Sequence, residues 1–427
     1  MIRPRPSRPV TRARLCECPG CGTFQTVPAL HKGMSAQCLS CGTLLQRARV
    51  HALDHSIALT IAALALLAIL ASTTMMSVQT AGISLSAGLL SGPEELVRRG
   101  MPSLALVVLF VVALAPGGKL LGTLYVLIRA HEARPPPHLR RVFILAEKLR
   151  PWSMLEVFVF GVFVAYVKLG DLVTITLDVG VYVLLVLTVM LIWADSALDR
   201  EEIWERLDQR QDKRLDMPHD PHAMGCETCG LVSVPVGEHG HCPRCGSRLH
   251  HRKPHAISRT WALVIAAAVM YVPANYFPVL TVMQLGAGAP STILGGVEEL
   301  IASRMYPLAA LVFFASIAVP MLKLVGLSVL LIATQTGRIG WLRDRTRLYW
   351  VICWIGRWSM IDIFMEALLG ALVRFGTVIT IEPGIGAVAF CAVVILTIFA
   401  AETFDPRLMW DAAQRAPARA VPVRAGS

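Results

Sequence analysis

The length, composition and charge of this sequence exclude an ordinary soluble protein. Its 427 residues are 55% hydrophobic and 16% charged, with a mean hydropathy of +0.59, whereas soluble domains are roughly a quarter charged. The formal net charge is +11, and its basic residues collect in alternate loops between apolar segments. This distribution indicates membrane topology rather than nucleic-acid binding.

A module of four cysteines precedes each of two apolar halves of the chain. Each module has two Cys-x-x-Cys-Gly turns, separated by 16 residues in the first module and by 12 in the second. The glycine accepts the positive φ that such a turn often needs. Four thiolates form the closed tetrahedral site of structural zinc, although iron in a rubredoxin-like site is an alternative. Cys16 is a less suitable ligand because four residues separate it from Cys21. The predicted ligands are Cys18, Cys21, Cys38 and Cys41, and then Cys226, Cys229, Cys242 and Cys245.

Eight apolar segments, four in each half, are predicted to cross the membrane. A helix needs roughly 20 residues to cross a hydrocarbon core about 30 Å thick. Two segments are shorter, and each follows a tryptophan that can anchor it at the interface. Because Lys and Arg are concentrated on one side, both termini and both cysteine modules are predicted to be cytoplasmic. The segments are 57–78, 104–128, 154–167, 173–193, 261–283, 307–333, 361–373 and 384–401.

The two halves are copies of one repeat. Pro116 and Lys119 recur as Pro320 and Lys323, and Trp152-Ser153-Met154 recurs as Trp358-Ser359-Met360. An even number of spans per half gives both copies the same orientation. We therefore predict an all-α polytopic membrane protein with two parallel four-helix transmembrane repeats, each preceded by a small cytoplasmic four-cysteine zinc ribbon. The predicted segments are a disordered basic N-terminus (1–15), ribbon 1 (16–50), repeat 1 (51–199), a charged linker (200–224), ribbon 2 (225–252), repeat 2 (253–405) and a disordered tail (406–427).

Polar residues inside the apolar segments are candidate functional residues, because ionisable groups are costly in a membrane. We expect Lys323 and Asp362 to pair across neighbouring helices, with Pro320 kinking the helix beside the lysine. Val112 occupies the position of Ser316 in the first half, so the second half is the predicted working site. Alternatively, these residues only hold the helices together. The candidates are Asn275, Ser316, Pro320, Lys323, Ser359 and Asp362 in the second half, and Lys119, Ser153 and Glu156 in the first.

Several motifs together resemble the paraquat-inducible protein A family over almost the whole chain. They are Pro273-Ala-Asn275 with Pro278, Ser291-Thr-Ile-Leu-Gly-Gly-Val-Glu, Ser316-x3-Pro320-x2-Lys323, Arg357-Trp358-Ser359-Met360-x-Asp362 and Phe404-Asp405-Pro406-Arg407. The first half departs from the last motif, with Leu198-Asp199-Arg200 in its place.

The resemblance implies a bacterial inner-membrane subunit of a lipid-trafficking system. Such a subunit works beside a periplasmic MCE-domain protein, handles membrane phospholipids and supports envelope integrity. No nucleic-acid partner and no enzymatic activity are expected. The sequence has no Walker-type segment for direct ATP use, so any energy would come from proton movement through Lys323, Ser359 and Asp362.

Two other functions fit the same residues. In the first, the four-cysteine sites hold iron and act as redox centres on membrane quinone. In the second, the ribbons are a membrane-anchored scaffold for a cytoplasmic partner. Metal content tests the first alternative, and tolerance of the polar cluster to substitution tests the second.

Overall fold

The structure, a computed structural model, describes residues 14–415 except 32, 48–52, 81–82, 131, 133–135, 171–173, 209–222, 236–239, 285–286, 339 and 373–378. The predicted N-terminal segment therefore lies almost entirely outside the described residues. So do most of the predicted linker and residues 416–427 of the predicted tail.

The first half begins with two hairpins that form the first ribbon. They are β1 (Arg14–Glu17) with β2 (Phe24–Val27), and β3 (Ser35–Gln37) with β4 (Leu44–Arg47). The first repeat follows as α1 (Leu53–Ser72), β5 (Thr74–Thr80), β6 (Ile83–Gly88), α2 (Ser91–Arg98), α3 (Pro102–Leu109), a π-helical turn (Phe110–Leu114), α4 (Ala115–Arg129), α5 (Leu139–Leu149), a 3₁₀ turn (Arg150–Trp152), α6 (Leu155–Gly170), β7 (Thr174–Leu177), α7 (Val179–Ala197) and α8 (Arg200–Leu207).

The second half begins with a ribbon of fewer strands, and its repeat then follows the order of the first repeat element by element. Its ribbon contains β8 (Met224–Gly225) and β9 (Val232–Ser233). The second repeat is α9 (Ala256–Tyr276), β10 (Leu280–Gln284), β11 (Ala287–Ser291), α10 (Ile293–Ala302), α11 (Tyr306–Phe313), a π-helical turn (Phe314–Ala318), α12 (Val319–Gln335), α13 (Leu342–Ile355), a 3₁₀ turn (Gly356–Met360), α14 (Ile361–Leu372), β12 (Ile379–Pro383), α15 (Ile385–Thr403) and α16 (Arg407–Arg415).

Seven helical stretches of the described chain are long and apolar enough to cross a membrane. The remaining predicted span, residues 361–373, corresponds to α14, which has 12 described residues, all of them buried in the protein. The mostly helical, multi-pass architecture with two repeats is thus as predicted. The ribbons lie at the end of the bundle where α1 begins, which we call the ribbon side.

Two small sheets at the opposite end, the sheet side, were not predicted. Each is three-stranded and antiparallel, with the orders β6-β5-β7 and β11-β10-β12. In each sheet the central strand, which follows the first helix of its repeat, pairs with the strand that leads into α7 or α15, so the sheet ties that helix to the first one. Strands this short carry little periodicity, which is why the apolar pattern of the neighbouring helices concealed them.

The repeats meet along the equivalent helices α6 and α14. The rings of Phe158 and Phe364 contact each other edge to face, with centroids 5.4 Å apart. A Cβ atom at Gly161 would lie 2.8 Å from the Phe364 Cβ atom, so a larger residue would push the helices apart. Contact between equivalent helices is the arrangement that a parallel repeat produces around a central axis.

The first ribbon docks on the second repeat rather than on the repeat that follows it in sequence. Arg343 of α13 donates hydrogen bonds to the backbone oxygens of Leu39 and Ser40. Trp410 of α16 packs against the first cysteine cluster and donates a hydrogen bond to Thr346 Oγ1 at 3.1 Å. Because α16 lies within the predicted disordered tail, that prediction is wrong for Arg407–Arg415.

The second ribbon docks on the first repeat. Its four predicted ligands pack in one buried cluster with Phe143 of α5 and Trp204 of α8, whose rings lie 5.0 Å apart. Arg244 of this ribbon donates to Glu201 of α8 at 2.9 Å. The ribbons also touch each other, since Glu17 Oε2 accepts a hydrogen bond from the Gly225 amide at 2.7 Å. The ribbons are therefore exchanged between the repeats: each one docks on the repeat that it does not directly precede in sequence.

Candidate metal centres and membrane polar cluster

Each predicted set of four cysteines forms one compact buried group. The four Sγ atoms within each set all lie within 4.8 Å of one another. The closest Sγ–Sγ distances are 3.5 Å, joining Cys18 to Cys41, Cys21 to Cys38, Cys226 to Cys245 and Cys229 to Cys242. Tetrahedral sulfur ligands with metal–sulfur bonds of about 2.3 Å are about 3.8 Å apart. Each group therefore fits one metal ion of its own.

The glycine after each second cysteine adopts the predicted left-handed conformation. The φ angles of Gly22, Gly42, Gly230 and Gly246 lie between 71° and 78°. Cys16 lies in β1 and packs with Val27 and Leu30, away from the first cysteine group. Among the residues that the structure describes, the two groups thus contain the eight predicted ligands and no others.

In the membrane part, Ser316 and Asp362 lie together on facing elements of the second repeat. Ser316 belongs to the π-helical turn that precedes Pro320, a feature that often marks functional sites. Its hydroxyl lies 2.7 Å from the Val312 backbone oxygen and hydrogen-bonds to Asp362 Oδ2. The other carboxylate oxygen of Asp362 and the Ser359 hydroxyl are buried, and neither has a hydrogen-bond partner among the described residues.

A small cavity of 40 Å³ adjoins this cluster on the sheet side, and we call it the sheet-side cavity. Lys168, Ser316, Asp362 and Glu366 line it, together with residues of β11 and α10. This volume is sufficient for a water molecule. A carboxyl group with one unpartnered oxygen beside such a cavity is able to exchange a proton with a water molecule in it.

The predicted ion pair between Lys323 and Asp362 is not formed in the described structure. Lys323 is only 1% exposed, and its Nζ atom lies 3.4 Å from the Gly356 backbone oxygen. It faces a second cavity, of 510 Å³, between the two repeats. The 3₁₀ turn Gly356–Met360, which carries Ser359, separates the two groups. The prediction failed because sequence spacing does not show which side of α12 faces α14.

The first-half candidates line this inter-repeat cavity together with Lys323. Lys119 pairs with Asp195 at 2.7 Å, whereas Glu156 lies 3.5 Å from Arg357 of the other repeat. Ser153 is buried and also lines the cavity. Lys119, Ser153 and Glu156 therefore lie apart from Asp362, although they are the first-half equivalents of Lys323, Ser359 and Asp362 in the sequence repeat.

Asn275 and Pro320 line neither cavity. The Asn275 amide donates to the Tyr271 backbone oxygen at 2.9 Å, within its own helix, which contains Pro273. Pro320 stands in the first turn of α12, directly after the π-helical turn. Pro116 has the same place in α4 after the equivalent turn, so the structure replaces the predicted kink with a π-helical turn in both repeats.

Three site residues were missed by sequence reasoning. Glu366 stands one helical turn after Asp362, and a second carboxylate in an apolar segment was a usable signal. Asp195 was assigned to the charged region after the fourth span. Arg150 belongs to a basic loop, and nothing in the sequence places it beside Asp195, which lies 3.6 Å away.

A network of ion pairs joins both ribbons to α16 outside the membrane. Arg407 contacts Asp405 at 2.9 Å and Glu17 at 3.2 Å, and it also pairs with Glu227. Burial alone would raise the pKa of Asp405, but the hydrogen bonds and charge of Arg407 outweigh it and lower that pKa. Arg252 pairs with Asp411 at 2.7 Å and with Glu17 at 3.1 Å. The network fixes the ribbons against the second repeat.

Comparison with known proteins identifies relatives along nearly the whole chain. Intermembrane transport protein PqiA of Escherichia coli (strain K12) is 34% identical over 406 residues, covering 92% of this chain and 95% of the relative. Lipophilic envelope-spanning tunnel protein A of the same strain is 31% identical over 402 residues, with 94% and 92% covered. A probable intermembrane transport protein of Haemophilus influenzae is 26% identical over 410 residues, with 93% and 96% covered. No solved structure matches the chain.

The family described as Paraquat-inducible protein A matches residues 53–208 and 257–414. These two ranges correspond to the two structural repeats, from α1 to α8 and from α9 to α16. The same family thus matches twice, once on each copy, and the relatives cover more than nine-tenths of the chain. The chain belongs to the paraquat-inducible protein A family.

Proposed function

We propose that this protein is the inner-membrane subunit of an intermembrane lipid transport system. It exchanges phospholipid with a periplasm-spanning MCE-domain partner and supports envelope integrity. The observation that carries the proposal is similarity over more than nine-tenths of the chain to relatives named for intermembrane transport and for an envelope-spanning tunnel. These names describe transport rather than catalysis.

The working site in this proposal is the polar cluster of the second repeat. Asp362, held by Ser316, takes up and releases a proton beside the sheet-side cavity. Ser359 and Lys323 extend this cluster toward the inter-repeat cavity. Support comes from the unpartnered Asp362 Oδ1 and Ser359 Oγ atoms, since buried polar groups without partners are rare and mark functional positions. Proton movement through this path would supply energy in a sequence without a Walker-type segment.

The ribbons have a structural role in this proposal. Four cysteines leave no open position for substrate or water, and zinc is the metal that commonly fills such closed sites. Both ribbons and both termini are cytoplasmic in the proposed orientation, which places the two sheets in the periplasm beside the partner. Cysteine labelling in intact cells tests this orientation. Cysteines are introduced at Leu39 on the ribbon side and at Leu294 on the sheet side, both of which are exposed, and are treated with a membrane-impermeant reagent.

A transfer assay tests the function. Vesicles containing the purified protein and fluorescent phosphatidylethanolamine are mixed with the purified MCE-domain partner, and transfer of the label is measured. Wild type should transfer lipid, and Asp362→Asn and Lys323→Gln should not. Absence of partner-dependent transfer by folded wild-type protein would refute the proposal. Unchanged transfer by both variants would refute the assigned working site.

A further inference from the structure

The inter-repeat cavity contains more positive than negative charge. Four cationic side chains and three carboxylates line it, and they come from both repeats. They are Lys119, Arg150, Lys323 and Arg357, and Glu156, Asp195 and Glu402. Complete ionisation therefore leaves an excess of one positive charge within a site that is surrounded by the helices of both repeats.

Lys323 is the buried cation of this cavity that lacks a carboxylate partner among the described residues. Lys119 has Asp195 at 2.7 Å, and Arg357 has Glu156 at 3.5 Å. Lys323 has no carboxylate within ion-pair distance among the described residues, and only the Gly356 backbone oxygen accepts from it. The repeat explains why: Ala401 occupies the position equivalent to Asp195 and lines the same cavity. A buried ammonium group without a counter-charge is costly, so an anion beside Lys323 would stabilise its charged form.

The walls of the cavity indicate which anion it holds. Its volume of 510 Å³ is within the range of small-molecule sites and exceeds what a simple inorganic anion requires. Leu191, Ile192, Trp350, Ile352 and Ile398 form apolar parts of the lining. Ile192 and Trp350 are also 59% and 42% exposed. The cavity thus combines a buried cation with an apolar lining, two residues of which are exposed.

We propose that the inter-repeat cavity binds a phosphate group next to Lys323, and that this phosphate is the headgroup of a membrane phospholipid. The phosphate occupies the position that the Asp195 carboxylate holds beside Lys119. The acyl chains leave past Ile192 and Trp350. This assignment rests on the proposed lipid transport function and adds to it the place and the chemistry by which the cargo is recognised.

Photocrosslinking tests the site. Delipidated full-length protein is reconstituted with phosphatidylglycerol that carries a diazirine on one acyl chain, and crosslinked peptides are identified by mass spectrometry. Wild type should crosslink at the segments containing Ile192 and Trp350. Lys323→Gln removes the cation, and Ala401→Asp supplies an internal carboxylate in its place. Both should lower crosslinking at these segments about tenfold, the change produced by about 1.4 kcal/mol.

Three controls make the result decisive. Lys323→Arg should retain crosslinking, and Lys148→Gln, which removes an exposed cation outside the cavity, should leave it unchanged. Thermal unfolding and metal content show whether each variant is folded. If either Lys323→Gln or Ala401→Asp fails to fold, the other one decides the result. Equal crosslinking in wild type and the folded variants would overturn the proposal.

A second arm separates lipid from free phosphate. Radiolabelled inorganic phosphate is dialysed against delipidated wild type and Lys323→Gln. Binding of phosphate that depends on Lys323, without crosslinking of the lipid at Ile192 or Trp350, would overturn the headgroup assignment. The transfer assay distinguishes the cavity site from the proposed lipid transport function. If the variants crosslink as strongly as wild type and wild type still transfers lipid, only the cavity site is refuted.

Discussion

Lys323 and Asp362 are buried on neighbouring elements of the second repeat, yet they face two different cavities. The Lys323 ammonium group lines the space between the repeats, on the ribbon side. The Asp362 carboxylate lines the smaller space on the sheet side, where Ser316 donates to it. Since neither charge neutralises the other, substitutions at the two residues can be interpreted separately.

Ser316→Val should abolish or strongly reduce transfer. The substitution places in the second repeat the residue type that Val112 provides in the first, and it leaves Asp362 without its hydrogen-bond donor. Loss of a hydrogen bond to a charged group costs about 1.5–3 kcal/mol, so we expect roughly a tenfold to hundredfold slower transfer in the vesicle assay. The reciprocal variant Val112→Ser should transfer lipid at the wild-type rate. Equal rates for Ser316→Val and wild type would contradict a role for this hydrogen bond.

Asp195→Ala should destabilise the first repeat. It leaves Lys119, which is only 7% exposed, without the carboxylate that now lies 2.7 Å away. Because Asp195 is partly exposed, we expect a loss of about 1–3 kcal/mol, seen as a lower Tm in detergent. Adding Lys119→Met should recover most of this loss, since an apolar pair replaces an ion pair at little cost. A double variant no more stable than Asp195→Ala would show that the unpaired charge is not the cause.

Metal removal from one ribbon should loosen the repeat on which that ribbon docks. The purified protein should be colourless and contain two zinc ions per chain, one for each cysteine group. Cys38→Ser should lower this to one and increase amide hydrogen exchange in α16, because Trp410 packs on the first group. Cys242→Ser should instead increase exchange in α8, where Trp204 packs with the second group. Two iron ions with a visible absorbance would favour the redox alternative.

The Arg407 network should be insensitive to mild acid. The pKa of Asp405 is lowered in the folded protein, so its contribution to stability is present above its unfolded value of about 3.9. That contribution is lost only as the pH falls below this value, through the folded pKa. Arg407→Gln removes the partner and leaves burial to raise the pKa of Asp405, so this contact should contribute less stability at pH 7, and acid titration should remove less stability than it does in wild type.

The matched control for this prediction is Arg347→Gln. Arg347 pairs with Asp344 on the surface at 3.5 Å, and both side chains are more than half exposed. Exposed pairs contribute little to stability, so this variant should titrate like wild type when the near-ultraviolet circular dichroism is followed. The same acid profile for Arg407→Gln and wild type would contradict a stabilising role for the network.

Features that depend on local spacing were predictable from the sequence. The cysteine turns, their glycines and the repeat follow from residues close together in the chain or from direct matching of the halves. What was not predictable depends on contacts between distant residues. Asp195 meets Lys119 across 76 positions, and the side of α12 that Lys323 occupies is decided by packing against the other repeat. The exchange of ribbons likewise leaves no trace in the order of segments.

The exchange of ribbons also imposes an order on biosynthesis. Ser40 accepts a hydrogen bond from Arg343, which the ribosome adds 303 residues later. The first ribbon can fold around its metal early, but its docking surface does not exist until α13 and α16 have been made. Only the completed chain can therefore close this contact, and a truncated product would keep the first ribbon undocked. An undocked ribbon is thus a structural mark of incomplete synthesis, which quality-control proteases could recognise.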